Sequence, residues 1–176
     1  MKYTVRRLNV GEADLYRSVR LESLRESPEA FSSTYESALS RTEDSWQAQA
    51  DGSASGRDRA TFLVLAGQPI GLGALYRDQD RPNEGELIQV WVSPEARGGK
   101  VAADLMNAIF DWAASNGFET IRAEVTRNNS RALRFYEKCG FAREGPDSVS
   151  GEPSRILTKR VESDGETNEL PRLAQL

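Results

Sequence analysis

The sequence predicts an α/β protein, a mixed sheet flanked by helices, and three observations predict it. Short runs with strand periodicity open the chain and return in its middle and late parts. Longer runs with helical periodicity separate the later strands, which lets neighbouring strands be joined by crossovers. At 176 residues with 38% hydrophobic side chains, the chain can fill one core and would be cramped as two domains.

Residues 3–8 alternate weakly and read as the opening strand. Asn9 and Glu12 stand three apart like a capping pair for a helix over residues 13–25, whose Leu15, Val19 and Leu24 turn inward. Ser27-Pro28 ends it. Residues 37–50 read as a second helix anchored by Leu39 and Trp46, and the Gly/Ser-rich stretch 51–58 as a flexible loop. Residues 61–66 and 70–76 flank a turn at Gly67-Gln68-Pro69 and read as a hairpin. Residues 86–92 are apolar on both faces, as in a buried central strand, and Pro94 stops them. Residues 98–115 form the clearest helix, with Val101, Leu105, Ile109 and Ala113 in one row beside Ala102, Met106 and Phe110, and Asn116-Gly117 as its C-cap. Over residues 120–125, Ile121, Ala123 and Val125 face one way while Arg122 and Glu124 face the other. Asn129 or Ser130 caps a shorter helix to Lys138, and residues 155–161 are a last strand. The reading is one domain over residues 1–161 and an acidic, polar tail, 162–176, expected to be disordered.

Composition removes whole classes of chemistry. With no histidine, Ser-His-Asp and Cys-His catalysis and imidazole-ligated metals are excluded; with one cysteine, Cys139, so are intrachain disulfides and cysteine clusters. No metal is expected. Twenty-three Lys+Arg against 27 Asp+Glu give a formal net charge of −4, which argues against a general polyanion binder, so no nucleic-acid partner is expected. No apolar run could cross a bilayer and MKYTVRRLNV lacks a signal-peptide core, so the expectation is a soluble, cytoplasmic protein with no membrane partner.

The strongest local signal is Val90-Trp91-Val92-Ser93-Pro94-Glu95-Ala96-Arg97-Gly98-Gly99-Lys100-Val101-Ala102-Ala103. It puts a Gly-rich turn and two cations between a buried strand and a helix start, where unpaired amides and the helix dipole suit a phosphate or pyrophosphate. An ordinary strand-to-helix turn with solvated cations accounts for it equally well. It is not a Walker A loop, because Pro94 and Val101 stand at required positions, and Gly71-Leu72-Gly73 fails the dinucleotide pattern at Tyr76.

Two blocks, residues 86–103 and Asn129-Ser130-Arg131-Ala132-Leu133-Arg134-Phe135-Tyr136-Glu137-Lys138-Cys139-Gly140-Phe141, resemble the GNAT superfamily of acetyl-CoA-dependent N-acetyltransferases. The resemblance implies a mostly antiparallel central sheet with a splayed strand pair and about four helices. It implies acetyl-CoA as acetyl donor, and an acceptor that is the amine of a small molecule or of a protein or peptide. The family's phosphate loop falls on Arg97, Gly98, Gly99, Lys100, Val101 and Ala102, with Ala103 next on the helix. Lys100 replaces a family glycine and either alters the amide geometry or adds a charge. Val90, Trp91 and Val92 match the splayed strand that pairs with the pantetheine arm, and Asn129 and Ala132 match positions beside the coenzyme.

The same resemblance implies that Tyr136 donates a proton to the leaving thiolate, while Glu86, or else Glu124 or a bound water, takes one from the amine. Glu86 also reads as an exposed edge carboxylate, Tyr136 as a core aromatic, and Asn129 as a helix cap. A backbone amide near Val92 would meet the oxyanion. An amine with a pKa of about 10.4 is nearly all protonated at neutral pH, so some proton acceptor is needed; a phenol with a pKa of about 10 keeps its proton to give. Cys139 reads as packing, since no histidine activates it. The acceptor site should draw on residues 27–56 and 145–155, with Ser32, Ser33, Thr34, Tyr35 and Glu36 as its lining candidates and Glu36 as a carboxylate to attract the amine, although the same stretch also reads as a solvated loop. A homodimer through the late strands is a further expectation. A non-catalytic module of the same shape that binds coenzyme A or another phosphate ligand is the alternative.

Overall fold

The computed structural model describes residues 1–145 and 154–162; the expected tail beyond residue 162, and most of the 145–155 connection, lie outside the described residues. Its strands are β1 (Thr4–Arg7), β2 (Arg59–Ala66), β3 (Gln68–Arg77), β4 (Glu84–Val92), β5 (Thr120–Thr126), β6 (Ala142–Arg143) and β7 (Ser154–Arg160). Its helices are α1 (Ala13–Glu26), α2 (Tyr35–Leu39), α3 (Glu43–Gly52), α4 (Val101–Ser115) and α5 (Ser130–Lys138). The strands make one seven-stranded sheet in the order β1-β2-β3-β4-β5-β7-β6. All neighbours are antiparallel except β4 and β5, which run parallel through the α4 crossover, so the mixed, mostly antiparallel α/β sheet expected from the sequence is the one formed.

Strand alternation divides the core in two. On one face Tyr16, Val19 and Leu24 of α1 and Trp46 of α3 pack on Leu63, Leu72 and Trp91. On the other, Leu105, Met106 and Ile109 of α4 pack on Phe62, Val64, Leu87 and Ile121, with Leu133 and Phe135 of α5 partly buried against them. Gly85 makes room there, since a Cβ on it would come within 2.8 Å of Phe118.

Leu39, expected as an apolar anchor, is instead exposed, and three further local expectations are corrected. The single helix over residues 37–50 is two, α2 and α3, because Thr34 and Thr42 each cap a separate start, their hydroxyls accepting the amides of Ser37 (3.1 Å) and Ser45 (3.2 Å). The stretch 51–58 is not wholly a flexible loop: Ser53 is fully buried, its hydroxyl donating to the Ala50 carbonyl (3.1 Å) and accepting from Thr61 (2.9 Å), which satisfies a polar group inside the core. The long helix starts at Val101 rather than at Gly98, because Gly98 has φ +82°, outside the helical range.

Candidate active site

The central strand is built to leave one edge. Between β3 and β4 the register runs from Ala74↔Ile88 to Leu72↔Trp91, so Gln89 and Val90 together oppose Gly73 in a β-bulge. Gln89 takes φ +60°, rare for a residue with a Cβ, and is held there by the buried Tyr16, whose hydroxyl donates to its Oε1 at 2.8 Å. Burial pushes the Tyr16 hydroxyl up to about 12, so it stays a donor. Past the bulge β4 leaves β5: their pairing stops at Leu87↔Ala123, while β5 stays with β7 as far as Thr126↔Ser154.

A V-shaped gap results, edged by unpaired backbone. The Ser93 amide donates to the Ile70 carbonyl (2.8 Å), so alternation along the ladder turns the Val92 amide and carbonyl away from β3, toward the gap. The carbonyl accepts from Arg97 Nε at 2.8 Å.

Two cavities fill this gap. One, of about 300 Å³, is lined by Val90, Trp91 and Val92 of β4, by Arg97 and Gly98, by Ala102 of α4, and by Asn129, Ala132 and Tyr136 at α5. The other, of about 340 Å³, is lined by Arg20, Ser32, Ser33, Glu86, Gln89 and Glu124 among others, and shares Ala30, Phe31, Val90, Asn129, Ala132 and Tyr136 with the first. Tyr136 therefore stands where the two meet. Its ring is half-buried and packs edge-on against Phe141 with centroids 5.4 Å apart. Burial first, and the Cys139 thiol second, hold its hydroxyl above the ordinary phenol value, so it is protonated at neutral pH. Cys139 itself is pushed up by burial, against the pull of Lys159, as suits a packing role.

Among the other sequence-derived site residues, Gly99, Lys100, Val101 and Ala103 do not line the first cavity; Val101 is buried in the core and Lys100 is exposed. Lys100 is the N-cap of α4 and gives it no side-chain cap, whereas Thr34, Thr42 and Asn129 cap α2, α3 and α5. The first helical bond runs from Asp104 to the Lys100 carbonyl (2.9 Å), which leaves the amides of residues 101–103 without helical partners. An uncapped helix start beside an open glycine fits a diphosphate, which needs donors and close backbone approach. Asn129 does cap α5, its Oδ1 accepting the Ala132 amide at 3.1 Å, and the residue lines both cavities. Glu86 and Glu124 are both exposed and share the wall of the second cavity, and Glu124 accepts a hydrogen bond from Ser154. Among the described residues no group of three or more His, Cys, Asp or Glu side chains could hold a metal ion, and no helix is long and apolar enough to cross a membrane.

Some residues of the site carry no signal in the sequence, Glu26 among them. Glu26, at the end of α1, accepts from Arg97 (2.6 Å), from the Trp91 indole (2.9 Å) and from Ser27, partners that tie β4 and the Gly-rich turn before α4 to α1. The Arg97 guanidinium is thus spent on Glu26 and Val92, and its loop offers backbone amides. Burial works to raise the Glu26 carboxyl, but the hydrogen bonds from Ser27, Trp91 and Arg97 outweigh it and the net shift is down. The folded state then holds this proton more weakly than the unfolded chain. The stability it contributes is complete above the unfolded value of about 4.3 and drains as pH falls through the lower folded value. Glu26→Gln should lower Tm at pH 7 and shrink that loss as pH falls from about 5 to 3; parallel Tm curves for the two proteins would contradict it.

The model of the acetyltransferase (GNAT) family matches residues 21–141. An IAA acetyltransferase of Azospirillum brasilense is 33% identical over 87 residues, 48% of this chain and 56% of that protein. A mycothiol acetyltransferase of Mycobacteroides abscessus is 33% identical over 96 residues, 53% of this chain and 32% of that protein. The chain thus spans about half the length of the first of these relatives and about a third of the second. Among solved structures, the PaiA N-acetyltransferase of Thermoplasma acidophilum in complex with coenzyme A superposes with a TM-score of 0.72 at 23% identity, covering 91% of this chain and 99% of that one. A GNAT acetyltransferase of Streptococcus pneumoniae gives 0.77 at 17% identity, covering 92% and 100%, and these likenesses speak to the fold. With its family-matched stretch running through the splayed strand, the uncapped helix and Tyr136, the chain belongs to the acetyltransferase (GNAT) family.

Proposed function

We propose that this protein moves the acetyl group of acetyl-CoA to the amine of a small molecule or of a protein or peptide, by direct attack with both substrates bound. One observation carries the reading: a strand gap filled by two adjoining cavities, with a protonated tyrosine where they meet. The free amides at the start of α4, with the Gly98 and Gly99 backbone, hold the diphosphate. The gap-facing backbone of β4 pairs with the pantetheine arm as an added strand would. The Val92 amide meets the charge that develops on the carbonyl oxygen. Glu86 or Glu124, directly or through a water, accepts the ammonium proton, and Tyr136 gives its own to the departing sulfur.

The test is continuous detection of free thiol with acetyl-CoA and a panel of amines, beside thermal melts. Acetyl-CoA at a hundred times its Kd should stabilise the fold by about 2.7 kcal/mol, and thiol release should depend on an amine. Stabilisation with no turnover on any amine would replace this reading by a coenzyme A-binding module; unchanged melting would remove both.

A further inference from the structure

Arg20 is the one charged side chain among the described residues that is buried, with 6% of its surface exposed. Its company is meagre. Nη1 lies 3.4 Å from the Ser23 hydroxyl, a long contact, and the guanidinium sits over the Phe31 ring at 4.7 Å. Ser23 already gives its own proton to the Arg20 carbonyl. No carboxylate among the described residues lies within ion-pair distance of it, whereas Arg6, Arg77 and Arg97 each have one. A guanidinium taken out of water without an anion is costly, and an apolar side chain would fill the same space at less cost. The side chain borders the second cavity, together with Phe31, Ser32 and Gln89, and the carboxylates Glu86 and Glu124 border it too.

We infer that Arg20 is the receptor for a carboxylate on the acceptor, so that the substrate class is an amine that also bears an acid. This deepens the acetyl-transfer reading and rests on it. The planar fork of a guanidinium matches a carboxylate through two parallel hydrogen bonds, and a buried fork loses little freedom in making them. Desolvation already holds the Arg20 guanidinium below its usual value, Arg41 adding to it and Tyr16 and Tyr76 opposing, and an incoming anion offsets that cost. A phosphate dianion would call for a second cation, and Arg41 is committed to Ser45 at 2.9 Å and to the Trp46 ring at 4.1 Å. The acid end of the substrate thus lies at Arg20 and its ammonium end toward Glu86 and Glu124.

The experiment uses glycine, β-alanine, 4-aminobutanoate and 5-aminopentanoate, the carboxamide of each, and phosphoethanolamine. kcat/KM is read by thiol release for the wild type, Arg20→Met and Arg20→Lys. At one chain length or more the acid should exceed its amide by at least about tenfold in the wild type, and the ratio should fall to within about twofold in Arg20→Met. Arg20→Lys, which keeps the charge and loses the fork, should fall between. Arg20→Met should melt no lower than wild type, since it removes an unpaired buried charge; if it fails to fold, Arg20→Gln takes its place. A parallel titration of the N-acetylated acids and amides into the coenzyme A-loaded protein reads the same ratio without turnover. Amides equal to acids in the wild type, or an acid preference kept without Arg20, would overturn the inference and leave acetyl transfer standing. Preference for phosphoethanolamine overturns the carboxylate assignment. Arg20-dependent binding of the acids without turnover on any amine keeps the anion site and removes acetyl transfer.

Discussion

Tyr136→Phe lowers kcat by at least about a hundredfold and leaves the Kd for acetyl-CoA within about twofold. The phenol borders both cavities, and its hydroxyl makes no hydrogen bond to any described residue, so removing it strips no support from the fold. The ring stays against Phe141, because an edge-on contact between rings does not depend on the oxygen. What is lost is a proton held ready by burial for a leaving thiolate whose conjugate acid has a pKa of about 8.5. Steady-state thiol release gives kcat, and calorimetric titration of acetyl-CoA gives Kd. A variant with wild-type turnover would remove Tyr136 from the chemistry, and one that loses both turnover and affinity would make it a wall of the site.

Ala102→Glu weakens coenzyme A binding by at least about a hundredfold while leaving Tm unchanged or higher. Ala102 is the second residue of α4, half-buried, with its side chain on the first cavity. A carboxylate in the first turn interacts favourably with the helix dipole, by about 0.3–1 kcal/mol, so the fold does not suffer. That carboxylate faces the place proposed for the diphosphate and brings like charge against it, with added bulk, at the helix end whose amides would otherwise serve the ligand. The opposite signs of the two effects make the test sharp. A melt and a titration on one sample read both, and full affinity in the variant would move the diphosphate elsewhere.

Much of the scaffold was legible because its signals are local. The inward rows of α4 and the two-faced pattern of β5 follow from helical and strand periodicity, and Ile121, Ala123 and Val125 are buried as read. The Gly-rich turn before α4 was legible from its glycines and cations, but the residue at which the helix begins, Val101 rather than Gly98, was not. The break between α2 and α3 was written too, at Thr34 and Thr42, but caps on such short helices are easily merged into one periodic run. Glu26 and Arg20 were not legible. On α1 they read as ordinary polar positions, and their burial and partners come from segments far along the chain, Arg97 being 71 residues from Glu26.

The sequence by itself determined most of the strands and longer helices, though not the split of α2 from α3 or the short β6, and the absence of histidine and cysteine-cluster chemistry. Only the tertiary structure decided where the sheet opens. The bulge at Gln89 needs the Tyr16 hydroxyl, 73 residues away, to hold its carboxamide, and Gly73 across the strand to face two residues with one. A left-handed backbone at a glutamine has no local cause, so it follows from contacts that exist after the chain has packed, and β4 parts from β5 where it occurs.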